Sequence, residues 1–219
     1  ECYYRGWSNC IGRWEIHLMA SSTEICNLAL SHLGVSKEIQ SLDTDSGQEA
    51  SACRRFFEIS RNEVFEDFQW PFAEVREYLA LVESNPTTDW LYSYQYPSNA
   101  ANIIQIPSGI RNDTRSTQIP YKIVYGDSGK LIYTDQQDAE VIYTKLITDV
   151  SRFSAKFTMA LSYKIAGYIA SRVTGGDPFK LKEAADRSYF KILKEAQANA
   201  LNENRYDVLP ESEFITARD

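Results

Sequence analysis

The segment Gly126–Gly129 carries the motif of this chain that most resembles catalytic chemistry. It reads Gly-Asp-Ser-Gly, the tetrapeptide that surrounds the serine nucleophile in chymotrypsin-like proteases. A serine triad also needs a histidine base and a buried aspartate beside that serine, and the chain has only two histidines, His17 near its N-terminus and His32 on a predicted helix. Lys130 and Leu131 stand where those proteases have Gly-Pro. Because the flanks read as two strands, we predict a hairpin turn rather than a nucleophile.

A second candidate is the group of carboxylates Glu63, Glu66 and Asp67. Paired carboxyls do acid–base work in glycosidases when a cleft holds them about 5–9 Å apart. These three lie on a predicted helix whose apolar stripe is elsewhere, which favours a solvated helix face. A cell-wall hydrolase that uses paired carboxylates stays an alternative.

The cysteines do not have the spacing of a metal site. Cys2, Cys10, Cys26 and Cys53 contain no C-x-x-C pair, whereas a structural zinc site needs four closely spaced Cys or His ligands. We predict free thiols in a reducing compartment, with Cys26 and Cys53 buried on helices. Gly175-Gly176 lacks the Lys-Ser/Thr of a phosphate-binding loop and is predicted to be an interhelix turn. The sequence therefore predicts no catalytic residue, no cofactor and no metal.

Size and charge narrow the class of protein. The 219 residues are 43% hydrophobic and 24% charged, which is enough to bury a core in one domain or a compact pair. Lys and Arg total 23 against 30 Asp and Glu, a net charge of −7, which argues against a protein that binds the nucleic-acid backbone.

The most apolar stretch, Met159–Val173, carries Lys164 and is shorter than the ~20 residues that cross a bilayer. Residues 1–18 lack periodicity and Met19 looks like a natural start, so we expect 1–18 to be an upstream extension.

Two helices are predicted before residue 71. The first begins at Ser21, which has capping-box spacing with Glu24, and closes at Gly34. The second runs from about Gln48 to Phe68. Its predicted apolar positions are Cys53, Phe56, Phe57, Ile59, Val64 and Phe68.

Two more helices are predicted after residue 146. Asp149 or Ser151 can cap a helix that runs to about Val173. Its predicted inward face is Phe153, Phe157, Leu161, Ile165 and Ile169, and the small residues that would admit a close neighbouring helix are Ser162, Ala166 and Ala170. Gly175 as C-cap, with Asp177 as N-cap and Pro178 at the first helical position, predicts a tight turn into a last helix that ends near Ala200. Its predicted inward residues are Leu181, Ala185, Tyr189, Ile192 and Ala196.

Between the helix pairs, residues from Phe72 to Leu146 read as strands. Trp90, Tyr92, Tyr94 and Tyr96 alternate with other residues, which places four aromatics on one strand face. That face could be a stacking platform for single-stranded nucleic acid. Between residues 84 and 145, however, five Lys and Arg stand against six Asp and Glu, so packing against the sheet's own core or a protein interface is favoured.

These elements predict an α+β fold. We expect an antiparallel helix bundle of two N-terminal and two C-terminal helices, formed by residues 19–70 and 147–201. An antiparallel β-domain, residues 71–146, is inserted between the helix pairs, and residues 202–219 form an extended C-terminal tail.

Several motifs, in this order along residues 22–200, carry a family resemblance. They are Ile25-Cys26-Asn27-x-Ala29-Leu30-x-x-Leu33-Gly34, Trp70-Pro71-Phe72-Ala73-x-x-Arg76-x-x-Leu79-Ala80, Trp90-x-Tyr92-x-Tyr94-x-x-Pro97, Tyr133-Thr134-Asp135 and Asp149-x-x-x-Phe153-x-x-x-Phe157. Together they resemble the head-to-tail adaptor proteins of short-tailed phages, the family often called tail tubular protein A.

The resemblance implies a structural virion protein rather than an enzyme. Such adaptors form a dodecameric ring beneath the portal vertex, extend the DNA channel, and give a platform to the tail nozzle and to tailspikes or fibres. The implied partners are therefore the portal protein, the nozzle and spike or fibre proteins, and further copies of the chain. Genomic DNA passes without specific binding, no membrane is involved, and the ring is assembled in the host cytoplasm. A single-stranded nucleic-acid-binding module stays a further alternative.

Two partner surfaces are expected on this basis. Residues 206–219 are expected to dock on the portal through Tyr206, Leu209, Phe214 and Ile215, ordering on assembly. The β-domain is expected to face the distal tail through Trp90, Tyr92, Tyr94 and Tyr96.

Overall fold

The structure is a computed structural model, and it describes residues 21–110, 118–126 and 129–203. Of these residues 47% are helical and 22% lie in strands, so the predicted α+β class is confirmed. The helices are α1 (Ser22–His32), α2 (Gln48–Asp67), α3 (Ala155–Val173) and α4 (Pro178–Glu203). The strands are β1 (Glu74–Tyr78), β2 (Leu81–Ser84), β3 (Tyr92–Gln95), β4 (Ala100–Gln105), β5 (Tyr121–Gly126), β6 (Gly129–Thr134) and β7 (Glu140–Lys145).

Helix α1 has the two ends that the sequence predicts. The Ser21 hydroxyl accepts the backbone N–H of Glu24, and the Glu24 carboxylate accepts the backbone N–H of Ser21, which completes a capping box. At the other end Gly34 adopts a φ of +73°, and the N–H of Val35 donates to the carbonyl of Leu30. This is a Schellman ending, which needs the left-handed conformation that glycine adopts at little cost.

The start of α3 differs from the prediction. Ser154 caps the helix by accepting the backbone N–H of Phe157 over 3.3 Å. Asp149 instead caps a single 3₁₀ turn, Val150–Arg152, by accepting the N–H of Ser151 over 3.1 Å. Three polar residues within six positions, Asp149, Ser151 and Ser154, are all able to cap, so spacing alone does not select the one that is used.

The junction between α3 and α4 is largely as predicted. The Asp177 carboxylate accepts free backbone N–H groups of the first turn of α4, and Pro178 is its first residue. The C-cap of α3 is Thr174 rather than Gly175, because the Thr174 hydroxyl donates to a carbonyl of the preceding turn. Helix α4 continues through 202–203, two positions that the sequence assigned to the tail.

Residues of α1, α2, α3 and α4 share one hydrophobic core. On α3 the predicted inward residues from Phe157 onward are confirmed as buried, and so are its small residues Ser162, Ala166 and Ala170. On α2 the prediction is partly wrong: Cys53 and Val64 are buried, but Ile59 is 50% exposed and Phe65, which was not predicted, is buried. At 100° per residue, Ile59 lies about 140° from Val64 around the helix, so it points away from the core.

The strands form two antiparallel sheets, one with the order β1-β7-β4 and one with the order β2-β3-β6-β5. Strands β5 and β6 pair up to Gly126 and Gly129, so the predicted hairpin is confirmed. The two turn residues between them, Asp127 and Ser128, lie outside the described residues.

A second hydrophobic core lies between these sheets. Tyr94 and Tyr96 are buried in it, together with Ile132 of β6 and Tyr143 of β7. Of the four alternating aromatics, Tyr94 and Tyr96 are therefore part of this core and Tyr92 packs against it.

Candidate interaction surfaces

The histidine on α1 takes part in helix packing. Nε2 of His32 lies 3.1 Å from Oγ of Ser162, and the His32 ring stacks on Tyr163 with centroids 3.8 Å apart. Ser162 donates its hydroxyl proton to the carbonyl of Met159, so its oxygen is left to accept from His32. Burial lowers the pKa of His32, which favours a neutral ring. His32 thus joins α1 to α3 through a hydrogen bond and a stacked ring.

The carboxylates Glu63 and Asp67 form an interhelical network at the protein surface, whereas Glu66 lies on an exposed helix face as the sequence predicts. Nζ of Lys164 on α3 lies 3.1 Å from Glu63 and 3.2 Å from Asp67. The hydroxyl of Tyr168 donates to Glu63 over 2.7 Å, and that of Tyr189 on α4 donates to Asp67 over 2.6 Å. The network joins α2, α3 and α4, and it engages both carboxylates with donors.

The network also changes the acidity of its members. Burial and the hydrogen-bonded carboxylates raise the pKa of Tyr168 and of Tyr189. Burial acts to lower the pKa of Lys164, but its hydrogen bonds to Glu63 and Asp67 outweigh that effect and raise it. Lys164, Tyr168 and Tyr189 therefore keep their protons near neutral pH. We infer that the network stabilises the helix packing and does not transfer protons.

The predicted burial of Cys26 and Cys53 as free thiols is confirmed. Cys26 on α1 and Cys53 on α2 are buried free thiols. Contact with Cys53 and burial raise the pKa of Cys26, which favours its unreactive thiol form. Among the described residues, no group of three or more His, Cys, Asp or Glu is placed to hold a metal ion.

The aromatic strand has little ring surface to offer a partner. Tyr94 and Tyr96 are buried, and Trp90 and Tyr92 are half-buried. The Tyr94 hydroxyl donates to the carbonyl of Gln136 over 2.8 Å, and burial raises the pKa of Tyr94 and of Tyr96. Because a buried ring cannot stack on a base, neither of these two tyrosines belongs to an open stacking platform.

An open cleft of about 700 Å³ lies where the β5–β6 hairpin faces the C-terminal end of α2. Nζ of Lys130 lies 5.1 Å from the ring centroid of Tyr96 and 5.6 Å from that of Tyr125, and both distances suit a cation–π contact. Glu66 and Asp67 line the helical side of the cleft. These groups can bind polar or aromatic side chains, but they lack the histidine or paired free carboxyls that a hydrolytic site needs.

The outer face of α4 carries an exposed apolar stripe that the sequence reasoning missed. We call Phe179, Phe190 and Leu201 the α4 stripe; they are 81%, 59% and 76% exposed. They are spaced eleven residues apart, close to three helical turns, so they lie along one line of the helix. This spacing is visible in the sequence and is the signal that could have found them. A shallow groove of about 540 Å³ beside Phe190 is lined by Arg187, Lys191 and Lys194 among others.

A second exposed apolar surface lies on the β region. Strand β2 is an edge strand with all four residues exposed, and Leu81 and Val82 are its apolar members. Tyr78 at the end of β1 and Leu91 just before β3 are exposed as well. An exposed apolar edge strand is a template for association, so β2 is a better candidate for partner contact than the buried part of β3.

The predicted portal-docking residues Tyr206, Leu209, Phe214 and Ile215 lie outside the described residues, and their role stays a prediction.

Within the described part of the chain, no helix combines the length and the apolar character that a membrane span requires. Comparison with known proteins finds no matching family model and no matching curated protein.

Proposed function

We propose that this chain is the adaptor subunit that joins the portal vertex of a short-tailed phage to its tail. Twelve copies form a ring that extends the DNA channel and supports the nozzle and the tailspikes or fibres. The protein is then a component of the virion tail that assembles in the host cytoplasm, and genomic DNA passes through it without specific binding.

The observation that carries the proposal is the order of elements together with the motifs that they contain. Two helices come first, seven strands follow in the described part of the chain, and two long helices come last. In the proposal, residues 19–70 and 147–201 form one helix bundle, residues 71–146 form an inserted β-domain, and the residues after α4 form an extended tail. This is the architecture that the resemblance to phage adaptors implies.

Two exposed apolar surfaces support the proposal. One lies on α4 and the other on β2, so one belongs to the helical core and one to the β region. An exposed apolar edge strand is a template for association, and the large exposed side chains of the α4 stripe are available to a partner. A subunit that meets its neighbours and the tail needs more than one such surface.

The charge of the chain also fits a DNA conduit. The net charge of −7 repels the phosphate backbone, and an acidic channel lets DNA slide without being held. The two alternatives have less support. The nucleic-acid-binding module depends on a strand whose Tyr94 and Tyr96 rings are buried, and the hydrolase depends on carboxylates that Lys164, Tyr168 and Tyr189 engage.

The test is a binding measurement with the portal protein of the same phage. The portal and the full chain are purified separately, mixed, and passed over a size-exclusion column with light-scattering detection. A full ring adds twelve chains of 25.0 kDa, about 300 kDa, to the mass of the portal peak. Two peaks of unchanged mass at every mixing ratio would overturn the proposal.

A further inference from the structure

The four-stranded sheet has two open edges. Its order is β2-β3-β6-β5, so β2 and β5 each have a neighbouring strand on one side only. Within the described part of the chain, the backbone of β2 pairs only with β3 and that of β5 only with β6. The free N–H and C=O groups along such an edge are able to pair with a strand of another chain.

A row of apolar side chains crosses one face of this sheet from edge to edge. The register places Leu81 of β2 opposite Tyr94, and Tyr94 opposite Ile132. Ile132 in turn stands opposite Ile123 of β5. The two middle residues are buried, whereas Leu81 and Ile123 at the ends of the row are 55% and 39% exposed. Each open edge therefore ends in apolar surface on the same face.

The next row, on the other face, ends in opposite charges. Glu83 of β2 stands opposite Ser93, and Ser93 stands opposite Tyr133. Tyr133 pairs with Lys122 of β5. Glu83 and Lys122 are both exposed, and neither forms an ion pair with a side chain that the structure describes. A single row thus carries a free acid at one open edge and a free base at the other.

The charges around these two residues preserve the contrast. From 79 to 95, the segment that contains β2, the chain has Glu83 and Asp89 but no Lys or Arg. From 121 to 134, the segment of β5 and β6, it has Lys122 and Lys130 against one acid, Asp127, which lies outside the described residues. The β2 edge is therefore acidic and the β5 edge is basic, and the two edges are complementary.

We infer that copies of this chain join head to tail by continuing this sheet, with β2 of one copy paired to β5 of the next. Neighbouring strands of the sheet are all antiparallel, so β2 and β5 of one copy run in opposite directions. A second copy placed beside the first in the same orientation therefore brings its β2 antiparallel to β5.

The rows of two such copies continue into each other. Lys122 of one copy comes opposite Glu83 of the next, and Ile123 comes opposite Leu81. Pairs of opposite charge and pairs of apolar side chains directly across two strands stabilise a sheet. Because the two edges differ, the contact is heterologous: it repeats from copy to copy and closes into a ring when the rotation permits.

The inference deepens the proposed function, on which it depends for the ring, and it names the contact between neighbouring subunits. The pairing uses the main-chain edge of β2. The faces of the continued sheet therefore stay available to the tail. With four residues in β2, the contact is small, so the experiment that tests it traps the contact covalently.

The test uses two cysteine variants of the full chain, Glu83→Cys and Lys122→Cys. Both are made with Cys2→Ser and Cys10→Ser, because the two remaining native cysteines are buried. Residues directly opposite in an antiparallel pair are close enough for a disulfide. The two variants are mixed, oxidised with diamide and analysed on a non-reducing gel. Each protein is at about 1 mM, so that a contact with a Kd as weak as about 1 mM is populated.

The matched control replaces Glu83→Cys by Ile59→Cys, because Ile59 is 50% exposed but lies on α2. Circular dichroism checks that each variant is folded. The oxidation is run with and without the portal protein, so that a contact made only in the assembled ring is also trapped.

The mixture of Glu83→Cys and Lys122→Cys should give a disulfide-linked dimer of two 25.0 kDa chains. This dimer should be lost when either variant is oxidised alone and when Ile59→Cys replaces Glu83→Cys. A chain that carries both Glu83→Cys and Lys122→Cys should give a ladder of dimers, trimers and larger products.

No dimer in the mixture, with or without the portal, would overturn the inference. As much dimer from one variant alone would overturn it too, since that result indicates a symmetric contact between identical edges. So would as much dimer from the Ile59→Cys mixture, which indicates random collision.

Portal binding is measured separately on the wild type. A wild type that binds the portal, with no head-to-tail disulfide in the variants, would overturn the inference and leave the proposed function standing. Variants that cross-link as described, with a wild type that never binds the portal, would contradict the proposed function and leave the contact between copies in place.

Discussion

The hydroxyl of Tyr189 donates to the carboxylate of Asp67 over 2.6 Å, although the two residues are 122 positions apart in the chain. The bond ties the last described helix to the second, across the whole β region that separates them. Lys164 on α3 contacts the same carboxylate. The helices on either side of the strands are therefore joined by polar contacts as well as by their shared core.

The first prediction concerns that bond. Replacing Tyr189 with Phe keeps the ring and removes the donor, so Asp67 loses one of its two partners. Since Asp67 is partly exposed and water can replace the hydroxyl, we expect the free energy of unfolding to fall by about 1–2 kcal/mol. Urea denaturation measures this change. Tyr125→Phe, on an exposed residue, is the control and should change stability by only a few tenths of a kcal/mol.

The second prediction concerns alkaline pH. Burial and the Glu77 carboxylate raise the pKa of Tyr143 to about 12, whereas an unfolded chain releases this proton near pH 10. Between those values the folded state holds more protons than the unfolded state, so stability falls as pH rises. The contribution of Tyr143 is fully present below pH 10 and is lost by about pH 12.

Tyr143→Phe should reduce the slope of stability against pH above pH 10 by roughly 1 kcal/mol per unit, because one shifted tyrosine contributes up to about 1.4. Urea midpoints measured from pH 7 to 11 give the slope. From pH 7 to 9 the two proteins should show the same pH dependence, even if the variant is less stable throughout. Equal slopes above pH 10 would contradict the account of Tyr143.

The third prediction concerns the end of α1. Gly34 has a φ of +73°, and a Cβ built there meets nothing within 4 Å, so only the backbone conformation resists substitution. Gly34→Ala should lower stability by about 1 kcal/mol. Gly34→Asn should cost less, because asparagine tolerates the left-handed region. Thermal unfolding of both variants checks this order of stability. An asparagine variant that is less stable than the alanine variant would contradict it.

Some of these features follow from sequence and others do not. The capping box of Ser21 and Glu24 and the Asp177-Pro178 helix start involve residues close together in the chain, and their spacing is sufficient to predict them. The alternating tyrosines identify one face of β3, but alternation does not say whether that face meets a core or solvent. Burial of Tyr94 depends on strands that the chain brings in from elsewhere.

The carboxylate network was beyond sequence reasoning for the same reason. Lys164 and Tyr189 reach Asp67 from positions 97 and 122 residues away, and local periodicity contains no information about such contacts. Ile59 is a case in which the residue type misleads. Its apolar type predicts a place in the buried stripe of α2, whereas its angle around the helix places it on the exposed side.

The fourth prediction concerns the C-terminal residues. Deleting 205–219 should abolish binding to the portal protein, and replacing Tyr206, Leu209, Phe214 and Ile215 with alanine should weaken it at least tenfold. The deletion starts beyond α4, so the melting temperature should stay within a few degrees of the wild type. A pull-down with the purified portal measures binding. Normal portal binding by the deletion variant would overturn the docking role of this segment.

The fifth prediction concerns the edge strand β2. Leu81→Glu combined with Val82→Lys should weaken binding of the tail nozzle protein of the same phage, because these exposed side chains would contact it. Tyr94→Phe, which changes a buried ring, should leave that affinity unchanged. Titration calorimetry compares the variants. If the changes at Leu81 and Val82 leave the affinity for the nozzle protein unaltered, β2 is not the surface that faces the tail.

The most direct test of the adaptor role is electron microscopy of the portal protein mixed with the full chain. Class averages should show an added ring of density on one face of the portal, coaxial with its channel, with the copies related by rotation. Portal particles that look the same with and without the chain, at concentrations well above the expected Kd, would contradict the role proposed for this protein.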